Sequence, residues 1–348
     1  MPLMLPVILL FIVLLLISSK TALSLATLGL TLWLENMVPT LLPFMILSGI
    51  LTGLKLQELL CRPLRGCFGR LFHTTPNGAY CIIMGFLCGF PMGAFCVADL
   101  YQKGQLSKED SVRLIPFCNN IGPVYFYSFA VPLLGLQAPA YQVLPLLTFG
   151  MYGIPLLYGF LSSQLHARML KAATARSVYA ADSRLPHAFT RRLSAAAEKP
   201  SPAVPASLIP CEKTEPSLFA VMDEAISHAG KSMLRLCGYM ILFNILMLPL
   251  YALHVNGFYS GILHSVFEIS GGIRVLQGYL VLMPEKRTLL QLLMLTALSF
   301  GGFCCAGQSE CFLHAVSLSP AAYLLRRLLI AMIAGCFYAV CLFGGWLF

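Results

Sequence analysis

Charge is what this chain has least of. Only 11% of its 348 residues are Asp, Glu, Lys or Arg, against roughly 25% in a soluble domain. Hydrophobic residues make up 58%, and mean hydropathy is +0.80. No segment of soluble composition is long enough to form a domain of ordinary size, which excludes a pair of soluble domains. Catalytic signatures are missing as well: there is no Walker A loop, no His-x-x-x-His metal pair on a helix and no Gly-x-Ser-x-Gly elbow. The 13 cysteines lie mostly inside apolar runs. No C-x-x-C pair faces another at zinc spacing, so the cysteines read as small packing residues and not as a disulfide framework or a metal site. The expectation is therefore no enzyme, no cofactor and no metal.

What is there is a succession of apolar runs separated by short basic loops. The formal charge of +9 sits in those loops, as expected of cytoplasmic loops, and does not indicate nucleic-acid binding. The fold class is an all-α polytopic membrane protein, multi-pass, in a bacterial cell membrane. No basic residue precedes Lys20, so the run 2–18 reads as an uncleaved, slightly short transmembrane helix and not as a secretory signal. Residues 21–38 alternate leucines with Thr21, Ser24, Thr27, Thr31, Glu35 and Asn36, which predicts an interfacial helix. A run over 39–54 follows. In 55–77, Lys55, Arg62, Arg65 and Arg70 outnumber Glu58, placing that loop in the cytoplasm.

The stretch from 78 to 123 organises the rest. The apolar run 78–102 is broken by Gly89-Phe90-Pro91-Met92-Gly93. The loop after it carries Lys103, Lys108 and Arg113, so both flanks read as cytoplasmic. That pattern predicts a re-entrant hairpin; the alternative is one kinked span. Ser107, followed by Glu109 and Asp110, marks a helix start. Spans are expected over 111–135 and 140–165. Residues 166–216 carry eight Lys/Arg against four acids and read as a basic cytoplasmic linker. An amphipathic helix over 218–233, spans over 234–254 and 258–283, a run over 288–316 broken at Gly301-Gly302 and a last span over 320–346 complete the chain. This divides it into an N-terminal segment 1–38, a first membrane half 39–165, the linker 166–216 and a second half 217–348.

The halves echo each other. Each holds a Ser-Gly element (Ser48-Gly49, Ser270-Gly271), then a Gly-rich break (Gly89–Gly93, Gly301-Gly302), then a Ser-led helix with an arginine a few residues on (Ser107 to Arg113, Ser319 to Arg326). Paired broken segments in two halves point to a transporter-like site at the repeat interface. Whether the repeats are inverted or parallel stays open, because 285–287 has too few charges to fix its side.

Gly89-Phe90-Pro91-Met92-Gly93-Ala94, Asp99-Leu100-Tyr101, Phe117-Cys118-Asn119-Asn120 with Gly122-Pro123, Glu268-Ile269-Ser270-Gly271-Gly272 and Phe300-Gly301-Gly302 with Gln308 together carry a resemblance. Outside the linker, the chain resembles the sporulation integral membrane protein YlbJ family, whose members carry nucleoside-recognition gate domains. Phe95 departs from the family pattern, which has a lysine there, and Phe303–Gly307 replaces a more polar stretch. The resemblance implies a membrane-transport architecture of two gate-like repeats and a sporulation context.

The residues that would bind a solute are Gly89, Pro91, Gly93, Asn119, Asn120, Gly301, Gly302 and Gln308. The glycines and proline shape breaks that expose backbone N–H and C=O groups. The amides both donate and accept, as a nucleobase or another uncharged polar solute would require; alternatively they satisfy backbone groups freed by the breaks. Acids inside a membrane are costly and tend to be functional, which singles out Glu310, Glu268 and Asp99 for ion coupling. Asp99 has an interfacial reading too, and Glu268 is expected to pair with Arg274 or to mark a helix end. The function expected is transport or recognition of a small polar solute. The alternative is a non-transporting scaffold for spore formation, with the basic linker as its contact surface. The partners expected are the lipid bilayer, a small polar solute and, left open, a second copy of the chain; nucleic acid is not among them.

Overall fold

The computed structural model describes residues 4–137, 139–182 and 217–346. All regular structure among them is helical. Among the described residues, five helices are long and apolar enough to cross a membrane: Ser19–Gly53, Tyr141–Met169, Leu218–Ala252, Pro284–Ala315 and Pro320–Phe343. The protein is an all-α, multi-pass membrane protein. Most of the linker expected over 166–216, and with it the scaffold's proposed contact surface, lies outside the described residues.

The elements run in order as α1 (Met4–Ile17), α2 (Ser19–Gly53), α3 (Pro76–Cys88), α4 (Met92–Gln102), α5 (Lys108–Cys118), α6 (residues 123–133), α7 (Tyr141–Met169), α8 (Leu218–Ala252), α9 (Gly257–Phe267), α10 (Ile269–Leu282), α11 (Arg287–Phe300), α12 (Gly302–Ala315) and α13 (Pro320–Phe343). Short helices Gln57–Cys61 and Arg65–Phe72 fill the basic loop after α2. Side-chain oxygens of Thr75, Ser107, Ser217 and Ser319 accept from backbone N–H groups in the first turns of α3, α5, α8 and α13. Each thus supplies one partner that a helix start lacks.

α3 and α4 form the re-entrant hairpin. They lie side by side, and a β-carbon on Gly85 would stand 2.9 Å from the Gly93 Cα across the pair. The Asn77 amide donates to the Gln105 carbonyl at 3.2 Å, so both ends emerge on one face. That face is the basic one: Arg113 donates to the Phe72 carbonyl at 2.5 Å and the His73 carbonyl at 3.0 Å, and Gln164 to the carbonyls of Arg70 and Leu71.

α9 and α10 form a second hairpin where the sequence predicts a plain span over 258–283. They too lie side by side; a β-carbon on Gly272 would strike the Ser265 backbone, and one on Gly261 would meet Leu276. The turn is Glu268 alone, in an extended conformation. This hairpin opens on the opposite face. There Gln291, early in α11, donates to the Leu134 carbonyl at 3.0 Å, and Arg287 bonds the Gly135 carbonyl.

The pairing of breaks therefore differs from the one expected. The hairpin at Gly89–Pro91 answers the hairpin at Glu268. The counterpart of the Gly301-Gly302 break is the non-helical stretch 119–122 between α5 and α6. α5–α6 crosses from the basic face to the opposite face, and α7 returns. α11–α12 crosses from the opposite face to the basic face, and α13 returns. The two broken crossings run in opposite senses.

Two further expectations change. Residues 21–38 are the first part of the continuous 35-residue helix α2, not a separate interfacial helix, and 218–233 is continuous with the span after it. α2 lies along α8, with Gly53 against Val221, Gly49 against Ala225 and Gly29 against the backbone of Met240 and Ile241. Trp33 donates its indole N–H to the Met233 carbonyl at 3.0 Å. The contact buries Ala22, Leu25, Gly29 and Leu32 of this part of the helix and leaves Ser24, Thr27 and Glu35 exposed.

Candidate functional site

The two hairpin tips and the two broken crossings meet at one place. Gly89 has φ +93° and Gly301 φ +92°, backbone conformations that a side chain strains. Each also touches a neighbour: a β-carbon on Gly89 would strike the Gly122 nitrogen, and one on Gly301 would lie 2.6 Å from the Phe90 ring. The first tip is thereby seated on both breaks. Gly93 backs onto Cys118 and Asn119, and Gly302 onto the carbonyls of Val266 and Phe267 in the second hairpin.

Between the tips lies a cavity of about 50 Å³. Its polar lining is Thr40, Tyr125, Glu268, Ser270 and Gln308, with Gly89 and Gly122 contributing backbone. Glu268 is 3% exposed. Its carboxylate accepts from Ser270 N at 3.0 Å, Gly271 N at 2.7 Å and the Asn244 amide at 3.3 Å. It marks the start of α10, one of the two roles expected of it. Arg274 is exposed and makes no ion pair with it. Every group bonded to the Glu268 carboxyl is a hydrogen-bond donor. Tyr125 donates to the Ser270 hydroxyl at 2.9 Å, extending the polar wall onto α6.

The predicted site residues do not all meet at this cavity. Gly89, Gln308 and Glu268 line the cavity. Asn119 and Asn120 are buried but committed to protein. Asn119 donates to Ser309 and Tyr323 hydroxyls, both at 2.9 Å, and accepts from Ala94 N at 3.4 Å. Asn120 accepts from Arg327 at 2.7 Å and donates to the Phe117 carbonyl. Glu310 is exposed on α12, away from the cavity, and Asp99 pairs with Lys103 at 2.8 Å near the basic face. Pro91 lines a separate cleft.

Three buried groups escaped the sequence reading. Arg327, 1% exposed, donates to the carbonyls of Ser299 (2.5 Å), Phe300 (3.3 Å) and Pro116 (3.4 Å) and lies 5.1 Å from the Phe90 ring centroid. It holds the carboxyl ends of α5 and α11, where helix dipoles favour a cation. An arginine inside an apolar run was the available signal. His264, expected at an external turn with His254, is fully buried in α9; its ring bonds the Asn244 side chain at 3.0 Å and Tyr251 at 3.4 Å. Asn244 thereby links His264 to Glu268. Among the described residues no group of three or more His, Cys, Asp or Glu could hold a metal ion.

The chain is 33% identical over 99 residues to "Sporulation integral membrane protein YlbJ" of Bacillus subtilis (strain 168). That match covers 28% of this chain, where the resemblance was expected over nearly all of it, and the chain spans about a quarter (24%) of that relative's length. No family model matches the chain, and no solved structure matches it.

Proposed function

We propose that this membrane protein carries or recognises a small polar solute at the cavity between its hairpin tips, in the sporulation context that the relative's name suggests. On this reading the two halves are inverted gate-like repeats and the protein is a carrier, not an enzyme. The observation that carries it is the meeting of both re-entrant tips and both broken crossings on one polar-lined cavity. Discontinuous helices at a repeat interface are where transporters of this kind bind substrate and coupling ion. Glu268 is the acid suited to coupling. It is buried with no cation within ion-pair distance among the described residues, and buried charges are otherwise paired or bind metals. A proton or a small cation at the cavity would supply the missing charge.

At about 50 Å³ the cavity has room for no more than a few water-sized groups, far below the roughly 300 Å³ or more of a ligand pocket. A solute therefore requires the tips to part. Thermal-shift measurements on the purified protein against nucleosides, nucleobases, dipicolinate-like anions and divalent metals test the reading. A ligand of the folded state adds about 2.7 kcal/mol of stability at a hundredfold excess over its dissociation constant. Gln308→Ala should abolish that shift with little change in unliganded stability. Asn119→Ala, which strips partners from three elements, should lower stability first. A folded protein that no class of solute stabilises would overturn the proposal.

A further inference from the structure

α8 carries a stripe of polar residues at helical spacing: Glu224, His228, Lys231 and Arg235. All four are exposed. The buried face of the same helix is formed by Val221, Ala225, Ala229, Met233, Leu236 and Met240. Arg235 is deep. It shares a cleft with Pro91 of the first hairpin tip and precedes Leu236, which lines the inner cavity. A charged side chain exposed to lipid at such depth costs about 2.5–3.5 kcal/mol on insertion scales, and intramembrane charges face protein or water instead.

Three spaces follow one another along this stripe. The outermost, of about 480 Å³, lies at the basic face between α8 and α4 and is lined by Lys55, Asp99, Lys103, Glu224 and His228. Phe95 lines its inner end, 5.6 Å from the His228 ring and 5.7 Å from that of Phe312. Beyond Phe312 is a second cleft, of about 580 Å³, between α8 and α12, lined by Pro91, Ser232, Arg235, Tyr239, Gln308 and Cys311. Gln308 and Leu236 are common to this cleft and to the inner cavity.

We infer that water fills the α8 stripe from the basic face to hairpin-tip depth, and that solute reaches the inner cavity by this route, through a door formed by Gln308 and Leu236. The second clause rests on the solute-carrier reading; the first does not. The route explains the exposed Arg235, and it makes the basic face the one from which the site is reached in this conformation.

Native cysteines test it without substitution. Cys311 lines the inner cleft, Cys67 is exposed in the loop at the basic face, and Cys336 is exposed on α13 among the exposed apolar side chains of Met332, Ile333 and Val340. A charged, membrane-impermeant thiol reagent needs a thiolate, and hence water, to react. The unmodified protein, in sealed vesicles of known orientation, is exposed to the reagent from one side, and each cysteine is scored by peptide mass spectrometry. Cys67 and Cys311 should react from the basic face, Cys311 at least about tenfold faster than Cys336. Cys311 that stays unmodified in membranes, or reacts only from the opposite face, overturns the inference. Protection in membranes that is lost in monomeric detergent solution overturns it in a particular way: a second copy of the chain, and not water, then covers the stripe. Leu236→Trp should leave Cys311 reactive while removing any solute-induced thermal shift. If no solute binds, the carrier reading falls and the Cys311 result still decides the water path.

Discussion

Among the described residues Arg327 has no acidic partner, and its burial is sustained by carbonyls. It donates to the Ser299, Phe300 and Pro116 carbonyl oxygens and to the Asn120 amide oxygen, contributed by α11 and by α5 with the break after it. The planar guanidinium reaches several acceptors from one position, which a lysine ammonium on a single stem cannot. A buried polar group left unpaired costs about 1–3 kcal/mol. Arg327→Met should therefore lower stability by on the order of several kcal/mol, several such groups being stranded at once. Arg327→Lys should recover only part of that loss, because it restores charge without the fork. Thermal unfolding of the two variants in one detergent checks this; equal stability of Arg327→Met and the parent would show that water already satisfies those carbonyls. The neighbouring Arg326 donates to the Val112 carbonyl near the basic face and is half-buried. The sequence places the two arginines side by side, and only their different directions around α13 separate a rim residue from a buried cation.

At the scale of elements, the breaks depend on backbone conformations that few residues tolerate. Gly301 at φ +92° also faces the Phe90 ring, so Gly301→Ala meets both strain and a collision. It should cost more than the roughly 1 kcal/mol that marks a compatible site. Gly278, on α10 with open space around it, is the contrast: Gly278→Ala should be neutral or stabilising by up to about 1 kcal/mol. Circular-dichroism melts of the two variants separate these outcomes, and equal melting would mean that the Gly301 turn bears no such constraint. The same physics decides what could be read in the sequence. The first hairpin was legible because its turn needs glycine and proline and because basic loops flank both ends. The second was not: its turn is a single extended residue, Glu268, and its flanking loops have too few charges to betray that both ends emerge on one face. The break over 119–122 was visible as Asn119-Asn120-Ile121-Gly122 but was not recognised as the counterpart of Gly301-Gly302. At the site, Glu268 and Gln308 were legible as polar groups inside apolar runs. Glu310 met the same criterion and lies outside the cavity, since composition does not say which face of α12 a residue occupies. Asn244, His264 and Tyr251 come together only through packing between α8 and the second hairpin.

Neither the described residues before the α7–α8 connection nor those after it close on themselves. α2 of the first half lies along α8 of the second, fixed by Trp33 on the Met233 carbonyl. Asn119 reaches Ser309 and Tyr323, Arg327 reaches Asn120 and Pro116, and Gln291 reaches the Leu134 carbonyl. Every one of these bonds crosses from one half to the other, and several are fully buried. A half on its own would expose these groups at membrane depth, where no water replaces the lost partners. The covalent connection between α7 and α8 is, on the carrier reading, dispensable once the halves have met, whereas the scaffold alternative requires the 166–216 stretch intact. Residues 1–182 and 217–348, co-expressed as separate chains, should therefore co-purify, each stabilising the other, and the pair should regain the thermal response to solute of the intact protein. Either half expressed alone should be degraded or aggregate. Separate halves that each purify as stable, folded proteins would contradict the interlocked arrangement. A reassembled pair that melts like the intact chain but fails in spore formation would favour the scaffold over the carrier.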